Sequence, residues 1–173
     1  MRIYLIGYMA SGKSWLGKEL AAEMDYEFID LDESFETRYR ISILEFFEKY
    51  GENLFRNLEQ DILRETSTMD QVIISTGGGA PCHSDSMDFV LASGISIYLR
   101  MSISELVERI SKIKKKRPLL KNVLPGEMEE FVRDQLSERE KYYLKANYIF
   151  EGPDYTVKEI LRVLRFNSDT FST

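Results

Sequence analysis

The stretch RIYLIGYMASGKS, residues 2–14, decides the fold of this 173-residue chain. Ile3 to Ile6 form a continuous apolar run, which is typical of a strand buried inside a parallel sheet. The run enters a glycine-containing loop, after which Leu16 and Leu20 recur with the spacing of a helix face. We therefore expect a buried strand, a loop and a helix that extends from about Gly12 to Met24.

The loop GYMASGKS, Gly7 to Ser14, matches the Walker A pattern G-x-x-x-x-G-K-[ST]. Its glycines let the backbone curl around an anion, and the helix that follows presents its positive end to the same spot. Lys13 would reach the β- and γ-phosphates of a nucleotide, and the Ser14 hydroxyl would ligate Mg²⁺. The flanking strand and helix disfavour the alternative, a glycine-rich turn with an accidental lysine. We expect nucleotide contacts from Ala10, Ser11, Gly12, Lys13, Ser14 and Trp15, the last of which should pack near the nucleotide.

Composition indicates one soluble globular domain, residues 1–173, because 43% of the residues are hydrophobic and 30% are charged. The formal net charge of −6 argues against a nucleic-acid partner. A single cysteine fits a reducing compartment, so we expect a cytoplasmic protein. The N-terminal apolar run is too short to span a membrane and lacks a signal-peptide cleavage site. We expect no membrane partner, and we expect a monomer.

Strand and helix signals alternate along the rest of the chain. Further strands are predicted at Tyr26–Ile29, Val72–Ser75, Ile95–Leu99 and Tyr148–Phe150. Helices are predicted over residues 33–68 with an interruption near Gly51, from Ser102 to about 112, from about 127 to 145, and after Thr156. Capping boxes are predicted at Ser42, Ser102 and Thr156. Five strands alternating with helices predict an α/β fold with a mostly parallel sheet, whose ligand lies at the carboxyl ends of the strands.

Two carboxylates, Asp30 and Asp32, end the second predicted strand. In an extended chain their side chains share a face, so both would point into the crevice. One could hold Mg²⁺ through its water shell, and the other could orient an attacking hydroxyl and accept its proton. The alternative is a pair of aspartates that cap the next helix. The Walker A motif upstream favours the functional interpretation.

Arg56 and Glu59 are three residues apart on a predicted helix, so they share a face. The planar fork of an arginine suits a carboxylate ligand, although spacing alone favours an ordinary exposed ion pair. Gly77, Gly78 and Gly79 follow the third strand, where glycines permit close approach of backbone to a ligand. A flexible turn is the alternative for these glycines.

Residues 112–121, KIKKKRPLLK, contain six basic and no acidic residues. A charge run is usually a solvated face, but here it separates two helices of a protein with a phosphate-binding loop. We expect a lid over residues 112–124, in which Arg117 neutralises a transferring phosphoryl group. A nucleic-acid patch is the alternative, and the lack of interleaved aromatic residues disfavours it.

Together these motifs resemble the shikimate kinase family. The resemblance covers residues 1 to about 150 in the family's order and rests on Gly7–Ser14, Asp30-x-Asp32, the segment GENLFRNLE at 51–59, Gly77–Gly79 and Arg117-Pro118-Leu119-Leu120. It implies a three-layer α/β/α fold with a five-stranded parallel sheet, like the P-loop nucleoside monophosphate kinases. It also implies a substrate-binding helical segment at about 33–61, with ATP and shikimate as substrates and Mg²⁺ as cofactor.

The resemblance also implies roles for single residues. Shikimate would be contacted by Asp32, Arg56 and Gly78, with Arg56 on its carboxylate and Asp32 on its 3-hydroxyl. We also expect Glu59, which could brace Arg56, and the neighbouring Gly77 and Gly79 in the substrate site. Asp30 and Ser14 would serve the metal, and Arg117 would contact ATP. Lys13, Asp32 and Arg117 would be the catalytic residues. Arg109 lies near the position of the family's adenine-contacting arginine.

A second substrate arginine of the family stands in the pattern R-x-P-x-Y-x-x-x-A. Residues 139–146 read REKYYLKA, so the proline is absent and the alanine comes one residue early. Arg139 is our candidate, with Arg133 as the less favoured alternative. Cys82 and His83 are too few to make a metal site.

Two other functions stay open from the sequence. One is a different small-molecule kinase of the same fold, acting on gluconate or a nucleoside monophosphate. The other is a non-catalytic nucleotide-binding module.

Overall fold

Five parallel strands form one sheet in the computed structural model, which describes residues 1–113, 118–121, 123–153 and 155–168. The sheet order is β2-β3-β1-β4-β5. All four pairings between neighbouring strands are parallel. The predicted strands are confirmed to within one residue at each end, as β1 (Arg2–Ile6), β2 (Glu27–Asp30), β3 (Val72–Ser75), β4 (Ile95–Arg100) and β5 (Tyr148–Glu151).

Helices cover both faces of this sheet. In chain order they are α1 (Lys13–Met24), α2 (Leu31–Tyr39), α3 (Ile43–Tyr50), α4 (Glu52–Glu65), α5 (Ser86–Ser93), α6 (Ile103–Ser111), α7 (Met128–Tyr143) and α8 (Val157–Ser168). Within the described ranges, no helix is both long enough and apolar enough to cross a membrane.

The core lies on the two faces of the sheet because alternate residues of each strand point in opposite directions. On one face Ile3 and Leu5 pack with the buried leucines of α1 and the apolar face of α8. On the other face Tyr4 packs with α2 and α4, and Ile6 packs with α6 and α7. Full burial of each such aliphatic side chain stabilises the fold by roughly 1.5–3 kcal/mol. The predicted three-layer α/β/α architecture is therefore confirmed.

The predicted helix over residues 33–68 is wrong in its bounds, since the structure has three helices there. The first begins at Leu31, because the Asp30 side chain accepts hydrogen bonds from two backbone N–H groups and caps it. It ends where Arg40 adopts a left-handed conformation with φ 52°. The capping box at Ser42 then starts α3, and Gly51, with φ 83°, separates α3 from α4.

Other boundaries were predicted more closely. The capping box at Ser102 is confirmed, and Thr156 and Glu159 exchange the predicted hydrogen bonds at the start of α8. Helix α5 was not predicted, although Met87 and Val90 carry the spacing of a short buried face.

Candidate active site

Two adjoining cavities lie beyond the carboxyl ends of the strands. The P-loop cavity has a volume of about 260 Å³ and is lined by Gly12, Lys13, Ser14, Asp30 and Arg109, among others. The arginine cavity has a volume of about 60 Å³ and is lined by Arg56, Glu59, Gly77, Gly79 and Arg139, among others. Met9, Asp32 and Gly78 line both cavities, so these residues mark the junction between them.

Two glycines allow the backbone path of the P-loop, residues 7–14. Gly12 has φ 98°, and a Cβ atom on Gly7 would lie 2.8 Å from the Leu99 carbonyl oxygen. The buried Lys13 ammonium donates hydrogen bonds of 2.9 Å to the carbonyl oxygens of Gly7 and Tyr8. The loop therefore places a buried cation at the start of α1, beside the backbone N–H groups that can bind an anion.

Ser14 and Asp30 present oxygen atoms to the P-loop cavity. The Ser14 hydroxyl donates a 2.5 Å hydrogen bond to Asp30 Oδ2 and lies 3.3 Å from Ser75 Oγ. Hydroxyl and carboxylate oxygens are the hard ligands that Mg²⁺ takes, usually together with water molecules. This donor set fits Mg²⁺. In the described part of the chain, no group of three or more histidine, cysteine, aspartate or glutamate side chains could hold a metal by itself.

Asp30 and Asp32 both line the P-loop cavity, as expected, but the expectation that they share one face of an extended chain is wrong. Asp30 ends β2, and its Oδ1 accepts hydrogen bonds from the backbone N–H groups of Asp32 and Glu33. Asp32 therefore lies in the first turn of α2, and it reaches the junction of the cavities from the helix. The capping interpretation holds for Asp30, which faces Ser14 at the same time.

The interpretation of Arg56 and Glu59 as an exposed ion pair is wrong. Their side chains are 11% and 5% exposed, and Arg56 Nη1 donates a 2.7 Å hydrogen bond to Glu59 Oε2. Burial raises the pKa of Glu59 to about 7, although the adjacent Arg56 opposes this shift and Asp32 adds to it. The Arg56 guanidinium also pairs with Glu52 and lies 5.1 Å from the ring centroid of Phe55. A largely shielded guanidinium, paired with two glutamates, thus faces the arginine cavity.

The three consecutive glycines allow side chains to pack closely against the turn that follows β3. Gly77, Gly78 and Gly79 all lack positive φ, so torsion does not require glycine here. A Cβ atom on Gly77 would lie 2.4 Å from Glu59 Oε1, and one on Gly79 would lie 2.6 Å from the Arg56 guanidinium. The Tyr143 hydroxyl donates a hydrogen bond to the Gly78 carbonyl oxygen, a contact that was not predicted.

Of the two arginines considered on α7, the structure brings Arg139 to the arginine cavity. Its guanidinium lies 5.5 Å from the ring centroid of Tyr8 and donates to Gln135 Oε1 at 2.5 Å. Arg133 instead pairs with Glu129 at 2.6 Å, and its side chain is 56% exposed.

Arg109 lies beside the P-loop, where its Nη1 donates a 3.4 Å hydrogen bond to the Ala10 carbonyl oxygen. Tyr155, which was not predicted, donates a 2.8 Å hydrogen bond to the Ser11 carbonyl oxygen from the segment after β5. Trp15 lines the P-loop cavity, and because the residue is 62% exposed it does not pack into the protein interior. Leu16, the next residue, takes the buried face of α1 instead.

The predicted lid is described only in part. Arg117 lies outside the described residues. Pro118 and Leu119 line the arginine cavity from a short 3₁₀ turn, Pro118–Leu120. Lys121 pairs with Glu48 of α3 at 2.5 Å.

Comparison with known proteins identifies the family. Residues 9–165 match the family model described as shikimate kinase. The chain belongs to the shikimate kinase family. The shikimate kinase of Parabacteroides distasonis is 42% identical to it over 151 residues, which cover 87% of each chain. The structure of shikimate kinase from Acinetobacter baumannii in complex with shikimate has a TM-score of 0.88 and 30% identity, covering 99% of this chain and 95% of that one.

A more distant kinase shares only the fold. A gluconokinase from Sinorhizobium meliloti has a TM-score of 0.62 at 17% identity, covering 99% of this chain and 97% of that one. The P-loop kinase fold predicted from the sequence is therefore confirmed, and the higher identities belong to the shikimate kinases.

Proposed function

We propose that this protein is a shikimate kinase, which transfers the γ-phosphate of ATP to the 3-hydroxyl of shikimate and so serves aromatic amino acid biosynthesis. The observation that carries the proposal is that Asp32 lines both the P-loop cavity and the arginine cavity. A carboxylate at that junction lies where an acceptor hydroxyl from one cavity meets a phosphoryl group from the other. Membership of the shikimate kinase family supports the choice of acceptor.

ATP would place its phosphates in the P-loop. The backbone N–H groups of Ala10, Ser11 and Gly12 and the positive end of α1 would bind the anionic oxygens. Lys13 would exchange its bonds to loop carbonyls for the β- and γ-phosphates. Arg109 and the exposed Trp15 would contact the nucleotide at the edge of the cavity. The Ser14 hydroxyl and the Asp30 carboxylate would hold Mg²⁺, which neutralises charge on the phosphates when bound.

The acceptor would lie in the arginine cavity. Arg56, fixed by Glu52 and Glu59, offers its fork to the carboxylate of shikimate, and Arg139 adds a second cation. The backbone of Gly77, Gly78 and Gly79 closes one wall, since hydrogen in place of a side chain lets the ring approach. Charge and shape together would orient one ring hydroxyl toward Asp32.

Transfer would then proceed in line. The acceptor oxygen forms a bond to the γ-phosphorus as the bond to the bridging oxygen of ADP breaks, and the hydroxyl proton passes to the Asp32 carboxylate. If the transition state is loose, the proton leaves late, and Asp32 contributes mainly by holding the hydroxyl in position. Lys13 and Arg117 would stabilise the charge on the transferring group.

The helical segment at about 33–61 would serve as the substrate-binding part of the domain, and residues 112–124 would serve as the lid. Two observations support these assignments. Phe55, Arg56 and Glu59 of α4 line the arginine cavity, and Pro118 and Leu119 of the lid segment line it as well. We further propose a monomeric, cytoplasmic enzyme that acts on small molecules. The net charge of −6 argues against a nucleic-acid partner, and the single cysteine fits a reducing compartment.

A coupled assay of ADP release with ATP, Mg²⁺ and shikimate tests the proposal. We expect turnover with shikimate and none above background with gluconate or nucleoside monophosphates. Asp32→Asn should lose turnover by at least about a hundredfold while ATP binding is kept, which separates an enzyme from a nucleotide-binding module. Turnover with gluconate but not shikimate would overturn the choice of acceptor, and full activity of Asp32→Asn would overturn the role of that residue.

A further inference from the structure

Tyr8, the second residue of the P-loop, contacts a cation from each of the two cavities. Its backbone carbonyl accepts the 2.9 Å hydrogen bond from Lys13. Its ring, which is 1% exposed, lies 5.5 Å from the central carbon of the Arg139 guanidinium. A guanidinium within about 6 Å of an aromatic centroid is attracted by the negative face of the ring.

We propose that Tyr8 is a positioning residue whose ring holds the guanidinium of Arg139 toward the acidic acceptor in the arginine cavity. The inference rests on the proposed function, because it takes the acceptor to be an anion bound partly by Arg139. It assigns a role in acceptor binding to a side chain that belongs to the nucleotide-binding loop.

Arg56 and Arg139, which both line the arginine cavity, have different partners, and this difference explains why an aromatic ring holds Arg139. Arg56 is held by two carboxylates, Glu52 and Glu59, which take up part of its charge. Among the residues that the structure describes, no carboxylate lies within ion-pair distance of Arg139. Its guanidinium bonds the neutral side chains of Gln135 and Tyr143, and the Glu59 carboxylate acts on it only at longer range. An aromatic face orients a guanidinium without cancelling its charge, so Arg139 keeps that charge for an anionic ligand.

The ring and the hydroxyl of Tyr8 make separable contributions. The hydroxyl is buried and has no hydrogen-bond partner within the described ranges. The contact with Arg139 is made by the ring face. Tyr8→Phe therefore keeps the relevant contact, and Tyr8→Leu removes it. The two variants form a matched pair.

We expect Tyr8→Leu to raise the KM for shikimate by about 3- to 10-fold, with kcat and the KM for ATP changed less than about twofold. Tyr8→Phe should restore the shikimate KM to within about twofold of the unmutated protein. In an Arg139→Ala background, Tyr8→Leu should cause no further rise, because the group through which the ring acts is gone. Dissociation constants for shikimate from calorimetry provide the same comparison if turnover is low.

Three results would overturn the proposal. These are an unchanged shikimate KM in Tyr8→Leu, an equal rise in the Arg139→Ala background, and a loss in Tyr8→Phe as large as in Tyr8→Leu. Tyr8→Met, which fills the site with an unbranched apolar side chain, replaces Tyr8→Leu if that variant does not fold. If the unmutated protein does not phosphorylate shikimate, the proposed function itself fails; an active protein with any of the three results refutes the role of Tyr8 alone.

Discussion

The Ser14 hydroxyl donates a 2.5 Å hydrogen bond to one oxygen of Asp30, while the other oxygen of the same carboxylate caps α2. One side chain thus joins the first turn of α1 to the first turn of α2. A metal held between Ser14 and Asp30 would therefore be bound by two helix termini whose separation is already fixed.

The two roles of Asp30 can be separated by substitution. Asp30→Asn keeps an oxygen that can cap α2 but removes the negative charge, so we expect the Mg²⁺ concentration needed for half-maximal activity to rise at least about tenfold with little change in Tm. Asp30→Ala should show the same rise and also lose about 1 kcal/mol of stability. Activity titrations with Mg²⁺ and thermal unfolding measure the two effects. An unaltered Mg²⁺ requirement in both variants would rule out Asp30 as part of the metal site.

Glu59 should make stability depend on pH. Burial raises its pKa from the ordinary 4.5 to about 7. Between pH 4.5 and about 7, Glu59 is therefore mostly protonated in the folded protein and mostly ionised in the unfolded chain. The contribution of Glu59 to the free energy of unfolding is then fully present below about pH 4.5 and lost as pH rises through about 7. Glu59→Gln, which cannot titrate, should show a flatter pH dependence over this window.

Denaturant unfolding of both proteins at several pH values measures that difference. A free energy of unfolding that falls equally in the two proteins between these pH values would show that Glu59 does not cause the dependence. Glu65→Gln is a suitable control, because Arg38 on the surface lowers the pKa of Glu65 instead of raising it.

The glycine loop should not tolerate a single added methyl group at Gly79. The new Cβ atom would lie 2.6 Å from the Arg56 guanidinium, which must move out of its bonds with Glu52 and Glu59. We expect Gly79→Ala to raise the KM for shikimate at least about tenfold and the KM for ATP far less. Gly126→Ala is the matched control, since its Cβ would meet no atom within 4 Å and its φ is not positive. Equal kinetic losses in the two variants would contradict this account.

Removing the buried hydroxyl of Tyr8 should stabilise the protein. That oxygen has no hydrogen-bond partner in the described part of the structure, and burial raises its pKa to about 12. Tyr8→Phe gives up no bond and relieves the cost of desolvating a polar group, so we expect a gain of about 1 kcal/mol in the free energy of unfolding. Tyr98→Phe, whose hydroxyl donates to Glu140 at 3.4 Å, should not show this gain. A loss of stability in Tyr8→Phe would mean that the hydroxyl is bonded after all.

Local sequence patterns were sufficient for most of the fold. The apolar runs located all five strands, and G-x-x-x-x-G-K-[ST] located the phosphate-binding loop, because both depend on neighbouring residues alone. The break after Tyr39 was missed because Arg40, and not a glycine, takes the left-handed conformation there. Sequence propensity gives no sign of that conformation for arginine.

The site depends on contacts that local patterns do not contain. Spacing put Arg56 and Glu59 on one face of a helix. Their surroundings come from other segments, because Arg56 lies against Gly79 and Phe47 and Glu59 lies against Gly77. Tyr155 and Ser11 are 144 residues apart, and only the sheet order brings the segment after β5 to the P-loop. Asp32 lies in the crevice, as predicted, but it belongs to the first turn of α2 and not to an extended strand.

The position of Trp15 has a practical consequence. It is the only tryptophan in the chain, it is 62% exposed, and it lines the P-loop cavity but not the arginine cavity. The emission of an exposed indole responds to quenching and to changes in local polarity. A nucleotide bound in the P-loop cavity, as proposed, should therefore change the emission of Trp15, and this change can be followed without a label while the acceptor is titrated independently.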